Sequence, residues 1–141
     1  MERYNLIVLG AGSGGLTVAG GAALLGARVA LLEKHRMGGD CLNYGCVPSK
    51  ALLRAAKVAQ TIRTADKYGI PGVPALAAPD LRAVMDRVRH AQARVAPHDS
   101  VERFTGLGVD VHLAAGRLES PTVAVISGRN VALPTIRRIL A

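Results

Sequence analysis

Residues 4–33, YNLIVLGAGSGGLTVAGGAALLGARVALLE, decide the fold. Tyr4 to Leu9 is a short apolar run that ends at glycine, as expected of a strand covered on both faces of a parallel sheet. Gly14 to Leu25 is rich in small residues and reads as a helix, with Gly26 where a left-handed C-terminal cap falls. Arg28 to Leu32 is the next apolar run, so strand, helix and strand follow one another as a βαβ unit with a right-handed crossover. Within it, Gly10, Gly12 and Gly15 form G-x-G-x-x-G directly after the strand and at the mouth of the helix. The first glycine permits a tight turn, the second lets backbone approach a pyrophosphate, and the third lets the helix lie close on the strand. Free N–H groups and the positive end of the helix then meet the phosphate charge. Glu33 ends the second strand, near the ~20 residues at which an acid reaches an adenosine ribose. The glycines alone suit any glycine-rich turn, but with Glu33 a dinucleotide is the better reading. A carboxylate there would repel a 2′-phosphate, which favours FAD or NAD over NADP.

The totals agree with one folded α/β domain: 141 residues, 50% of them hydrophobic. Aromatic residues make up only 3% beside 16 glycines, which predicts close backbone packing rather than a core of large rings. The net charge of +8 raises the question of a polyanionic partner. The basic residues, however, fall mainly in Arg54 to Lys67 and Arg82 to Arg94, interleaved with apolar residues at helical spacing and without aromatic stacking residues. No nucleic-acid partner is expected. Leu6 to Ala27 carries no charge over the length of a membrane span, but Gly10, Gly12, Gly14, Gly15, Gly20 and Gly21 interrupt it, so no span is expected either. Met1 to Asn5 runs straight into the apolar strand without a cleavage pattern, and the expected compartment is the cytoplasm.

Further along, a helix is predicted from about Ser49 to Lys67 and another from Leu81 to Ala96, closed by Pro97. Tyr68 to Asp80, with Pro71, Pro74 and Pro79, is a connector. Val109 to Leu113 and Thr122 to Ile126 read as short strands, and Asn130 to Ala141 begins a further apolar element.

Between Glu33 and Lys50 the composition turns loop-like and carries both cysteines, Cys41 and Cys46, in GGDCLNYGCVPSK. A structural disulfide fits a cytoplasmic chain poorly, a metal site lacks further ligands at sensible spacing, and two inert buried thiols remain open. The fourth reading is a redox couple. Near the start of the helix that includes Lys50, the positive helix end and a nearby ammonium would both stabilise a thiolate. Five steps of regular helix separate Cα atoms by ~7.5 Å along the axis and ~140° around it, whereas a disulfide needs about 4.4–6.8 Å. If the two are to bridge, the backbone between them must be distorted, and Gly45 and Pro48 are residues that allow this.

Taken together, GAGSGG, Glu33 and GGDCLNYGCVPSK resemble the class I pyridine nucleotide-disulfide oxidoreductases, the family of dihydrolipoamide dehydrogenase, mercuric reductase and glutathione reductase. PHDSVERFTGLGVDV, Pro97 to Val111, looks like the segment leading to that family's adenine-contacting strand and is most similar to mercuric reductase-like members; Val47 to Lys50 looks like the lipoamide and mercuric branches. The resemblance implies a Rossmann-type FAD-binding domain over residues 1–141, without the nicotinamide and dimerisation domains that follow in the family. It implies that Gly10, Gly12, Ser13, Gly14 and Gly15 hold the FAD pyrophosphate, that Glu33, with Lys34 beside it, holds the adenosine ribose, and that Gly39 and Asp40 line the cofactor. Cys46 would be the thiol next to the flavin ring, Cys41 the thiol that meets substrate, and Lys50 a cation beside the flavin. Gly116 matches the position whose backbone contacts adenine. Asp40 departs from the family's usual threonine, and a carboxylate near a pyrophosphate is unfavourable unless it points away or meets a cation. The implied reaction runs from NAD(P)H through FAD to the Cys41–Cys46 disulfide, then to a disulfide or metal-ion substrate. In the family this occurs in a homodimer. A chain ending here should leave a sheet edge unpaired, bind FAD weakly, and lack turnover alone. The alternatives are a nucleotide-binding module without catalysis and a thiol redox sensor.

Overall fold

In the computed structural model, residues 2–72, 74–75, 77–121, 123–126 and 129–132 are described, and they form an α/β fold with two sheets. Strands β2 (Leu6–Leu9), β3 (Val29–Leu32) and β4 (Val109–His112) make a parallel sheet with β3 in the centre, Leu6 opposite Val29 and Val29 opposite Val109. The second sheet is mixed. It orders β1 (Glu2–Arg3), β7 (Arg129–Ala132), β6 (Val123–Ile126) and β5 (Gly116–Ser120), with β1 and β7 parallel and the other pairs antiparallel.

β3 shows why the core forms where it does. All four of its residues are buried, and alternate side chains serve opposite faces. Val29 and Leu31 join Ala11, Leu16, Ala19, Phe104 and Val109 beneath helix α1 (Ser13–Leu24). Ala30 and Leu32 join Tyr4, Ala124 and Ile126 beneath the second sheet. Helix α1 comes close because its inner face is small: a Cβ on Gly20 would lie 3.3 Å from the Phe104 ring. Gly26, at φ +85°, ends this helix in the left-handed conformation expected.

The expectation that Tyr4 to Leu9 is covered on both faces is corrected. The strand is Leu6–Leu9, its residues are half-buried, and Leu9 is 45% exposed. Among the described residues it pairs only with β3.

Helix α2 (Gly39–Asn43) precedes α3 (Cys46–Arg63), which packs against α4 (Leu81–Val95). Helix α3 starts three residues before the predicted Ser49, because Pro48 falls in the first turn, where a helix has no partner for the missing N–H. It stops at Arg63, and Ala65–Tyr68 is a 3-10 turn. Pro97 does not end the chain's helical path either. It begins a 3-10 turn, Ala96–Asp99, which leads into α5 (Val101–Gly106), where Ser100 accepts the N–H of Arg103 at 3.2 Å. Of the last predicted apolar element, Arg129–Ala132 is strand β7 and residues 133–141 lie outside the described ones. No helix among the described residues is long and apolar enough to cross a membrane.

Candidate functional site

The glycine turn and the loop after β3 form one structure. Gly12 caps α1 without a side-chain hydrogen bond, so the first-turn N–H groups point out of the turn, and no acidic side chain occupies that turn. A Cβ on Gly12 or Gly14 would meet nothing within 4 Å, leaving a bare cradle at the helix end with Ser13 exposed between them. Such an end attracts an anion. Gly15 is different: a Cβ there would fall on the Gly10 carbonyl and lie 3.2 Å from Val8 Cγ1.

Glu33 closes the turn from below. Its Oε2 accepts the N–H of Ala11 at 2.7 Å and its Oε1 the N–H of His35 at 2.7 Å. Burial disfavours the carboxylate, but the Ala11 and His35 N–H groups, the His35 charge and the Arg36 N–H outweigh it and hold Glu33 below the ordinary carboxylate range. Three N–H donors occupy three of the four lone-pair sites of the carboxylate, leaving one for a hydroxyl. Glu33, Lys34, Gly10, Leu9, Ala114 and Gly116 line a cavity of about 330 Å³ beside the turn. This volume and lining suit the adenosine half of a dinucleotide.

Glu33→Gln keeps the shape and removes the charge, and is expected to destabilise the protein by about 1.5–3 kcal/mol, the range for hydrogen bonds to a charged group. A carboxyl whose pKa is lowered on folding contributes above the ordinary carboxylate range and loses that contribution as pH falls through its depressed value. The gap between the parent and Glu33→Gln should therefore be full at neutral pH and close in acid, as urea unfolding across pH would show.

The cysteine segment packs against the same glycine turn. Gly38 N–H donates to the Ala11 carbonyl at 2.9 Å. Gly39, at φ +53°, sits so close to Gly12 that a Cβ would be 2.6 Å from its Cα. Cys41 is in α2 and Cys46 is the first residue of α3; Tyr44 and Gly45 break the helix between them, with Gly45 at φ −103° and ψ −104°. The distortion expected between the cysteines is present. Lys50 follows Cys46 by one helical turn. Ser13 and Cys41 also line a common cavity of about 430 Å³, with His98, Asp99 and Arg103 at its wall.

Both thiols are free. The Cys41 thiol is pushed above its ordinary value, first by its hydrogen bond with the Cys46 side chain, then by desolvation and by charge on Cys46. The Cys46 backbone N–H and the Lys50 ammonium pull the other way and lose. For Cys41 this corrects the expectation that the helix end and Lys50 stabilise a thiolate: a neighbouring sulfur that shares its proton is the stronger influence. Cys46→Ala should accordingly move the onset of Cys41 alkylation by iodoacetamide to lower pH; an unchanged or higher onset would contradict it.

The Asp40 carboxylate lies against Gly45, where an added Cβ would collide with it. Its backbone carbonyl accepts the N–H groups of Tyr44 at 2.8 Å and Gly45 at 2.6 Å, which makes it the pivot of the break. Two residues were not singled out from the sequence. The Asn43 amide donates to the Met37 carbonyl at 3.0 Å and the Gly39 carbonyl at 2.8 Å, and Gln92 reaches across from α4 to the end of α2. The local pattern could have suggested Asn43; nothing local pointed to Gln92. Among the described residues, no three His, Cys, Asp or Glu side chains are grouped to hold a metal ion.

The chain matches the family described as pyridine nucleotide-disulphide oxidoreductase over residues 4–133. It is 37% identical to a dihydrolipoyl dehydrogenase of Bacillus subtilis over 122 residues, 86% of this chain and 25% of that protein. A dihydrolipoyl dehydrogenase of Chlamydia muridarum is 33% identical over 140 residues, covering 95% of this chain and 30% of the relative. A third, from Chlamydia trachomatis, is 52% identical over 69 residues, 49% of this chain and 15% of the relative. The chain thus spans less than a third of each of these relatives.

Proposed function

The chain belongs to the pyridine nucleotide-disulphide oxidoreductase family, and on that premise we propose that it is the FAD-binding, redox-disulfide portion of a flavoprotein that passes electrons between NAD(P)H and a disulfide substrate. The observation that carries this reading is the seating of Gly39 on Gly12, which brings the cysteine-bearing helices against the glycine turn. The named activity of the relatives, dihydrolipoyl dehydrogenase, favours a dithiol–disulfide substrate over a metal ion.

The residues fit the cofactor. Gly10, Gly12, Ser13, Gly14 and Gly15 would hold its diphosphate, Glu33 the adenosine ribose with Lys34 at the rim, and Gly116 the adenine. Gly39 and Asp40 would line its path to Cys46 and Lys50. When bound, the flavin supplies two-electron exchange with a nicotinamide. Two electrons and two protons open the Cys41–Cys46 disulfide to thiols. The Cys41 sulfur, giving up its proton, then attacks a sulfur of the substrate disulfide, forming a mixed disulfide and releasing one substrate thiol that carries that proton. The Cys46 sulfur, giving up its proton in turn, attacks the Cys41 sulfur, closing the protein disulfide and expelling the second substrate thiol with it.

Titration of FAD fluorescence with the chain, in competition with ADP and with FMN, tests the binding mode. ADP, which carries the adenosine and diphosphate, should displace FAD, and FMN should compete weakly. Displacement by FMN but not by ADP would contradict the assignment of Glu33 and the glycine turn.

A further inference from the structure

The two cysteines are carried by separate helices, so something other than helical hydrogen bonding must fix their separation. Helix α2 has only five residues, too few to be stable by itself, and its terminal carbonyls have no partner within the helix. The Gln92 side chain, part-buried on α4, supplies one: its Nε2 donates to the Leu42 carbonyl at 3.1 Å and to the Asn43 carbonyl at 2.9 Å. Helix α4 packs against α3, which begins with Cys46. The amide therefore ties the helix of Cys41 to the helix pair that holds Cys46, across the break at Tyr44 and Gly45.

We propose that Gln92 is a positioning residue for the cysteine pair, whose clamp on the end of α2 holds the two sulfurs within bonding reach. Gln92 touches neither sulfur and acts through the position of α2. This rests on the reading of Cys41 and Cys46 as a redox couple and not on the flavin.

The test is the equilibrium of the purified chain with glutathione, in which glutathione disulfide and the protein dithiol yield the protein disulfide and two glutathione thiols. Gln92→Leu and Gln92→Met remove the donors while keeping the volume, and should each lower the constant for disulfide closure about tenfold, equivalent to about 1.4 kcal/mol. Gln92→Lys, which can still donate to both carbonyls, should restore it to within about twofold. A role confined to stability would lower the unfolding midpoint and leave the glutathione constant where it is. An unchanged constant in whichever of the Leu and Met proteins retains the native helical circular dichroism overturns the proposal. A parent chain that forms no Cys41–Cys46 disulfide at all overturns both this inference and the redox-couple reading.

Discussion

Gly15→Ala is expected to destabilise the protein by about 3 kcal/mol, the upper end for overpacking, and to lower its Tm by on the order of 10 °C. The added methyl would fall on the Gly10 carbonyl, with the Gly10 carbonyl carbon 3.1 Å away and Val8 Cγ1 3.2 Å away. The obstacle is backbone at a turn, which has no rotamer to escape into, so α1 must lift from β2. That lift opens the cluster of Leu16, Ala19, Val29, Leu31 and Phe104 beneath the helix. Gly14→Ala is the control: it sits one residue away, on the open face where a Cβ meets nothing within 4 Å, and should leave the Tm nearly unchanged. Calorimetry or circular dichroism melts of the two variants decide it. Equal effects would mean that the close approach at Gly15 does not hold the helix to the strand.

Gly39→Ala should have a comparable effect on the site and a different one on the fold. The left-handed conformation at φ +53° costs an alanine roughly 1–2 kcal/mol. The methyl would also press on Gly12, 2.6 Å from its Cα and 3.2 Å from its N. Gly39 lies outside both core clusters, so the sheet and α1 should survive while α2 is pushed off the glycine turn. FAD affinity should then fall at least tenfold, equivalent to about 1.4 kcal/mol, with the parallel sheet still showing its cooperative melt. Fluorescence titration measures the first and circular dichroism the second. Unaltered FAD binding in a folded Gly39→Ala protein would separate the loop from the cofactor site.

The parts of the fold legible in the sequence are those whose signal is local and apolar. β3 reads as a strand because all four residues are apolar, with α1 over one face and the second sheet over the other. The α1 boundaries came within a residue because glycine stands at both ends. β5, Gly116–Ser120, carries GRLES, whose three central residues are exposed, and so gave no alternation; it exists because β6 pairs with it. Helix α2 was hidden inside a loop-like composition because it has only five residues and its last carbonyls are held by Gln92, about fifty residues away in sequence.

The candidate site divides in the same way. The glycine turn, Glu33 and the cysteine pair are each short motifs, and the cysteine-bearing segment packs against the glycine turn where β2 and β3 end. The placement of the Asp40 carboxylate against Gly45 was not legible, since it depends on how the break between α2 and α3 folds back on itself. Nor was the raised Cys41 thiol, which depends on contact with Cys46 rather than on its place near a helix end.

The most direct measurement is the absorption spectrum of the fully reduced chain with FAD in excess, compared with its Cys46→Ser and Cys41→Ser variants. A sulfur held against the flavin ring should give a long-wavelength thiolate-to-flavin band in the parent, keep it in Cys41→Ser, and lose it in Cys46→Ser. FAD whose fluorescence is quenched by the reduced chain without any such band would place the two sulfurs elsewhere than beside the flavin and contradict the account.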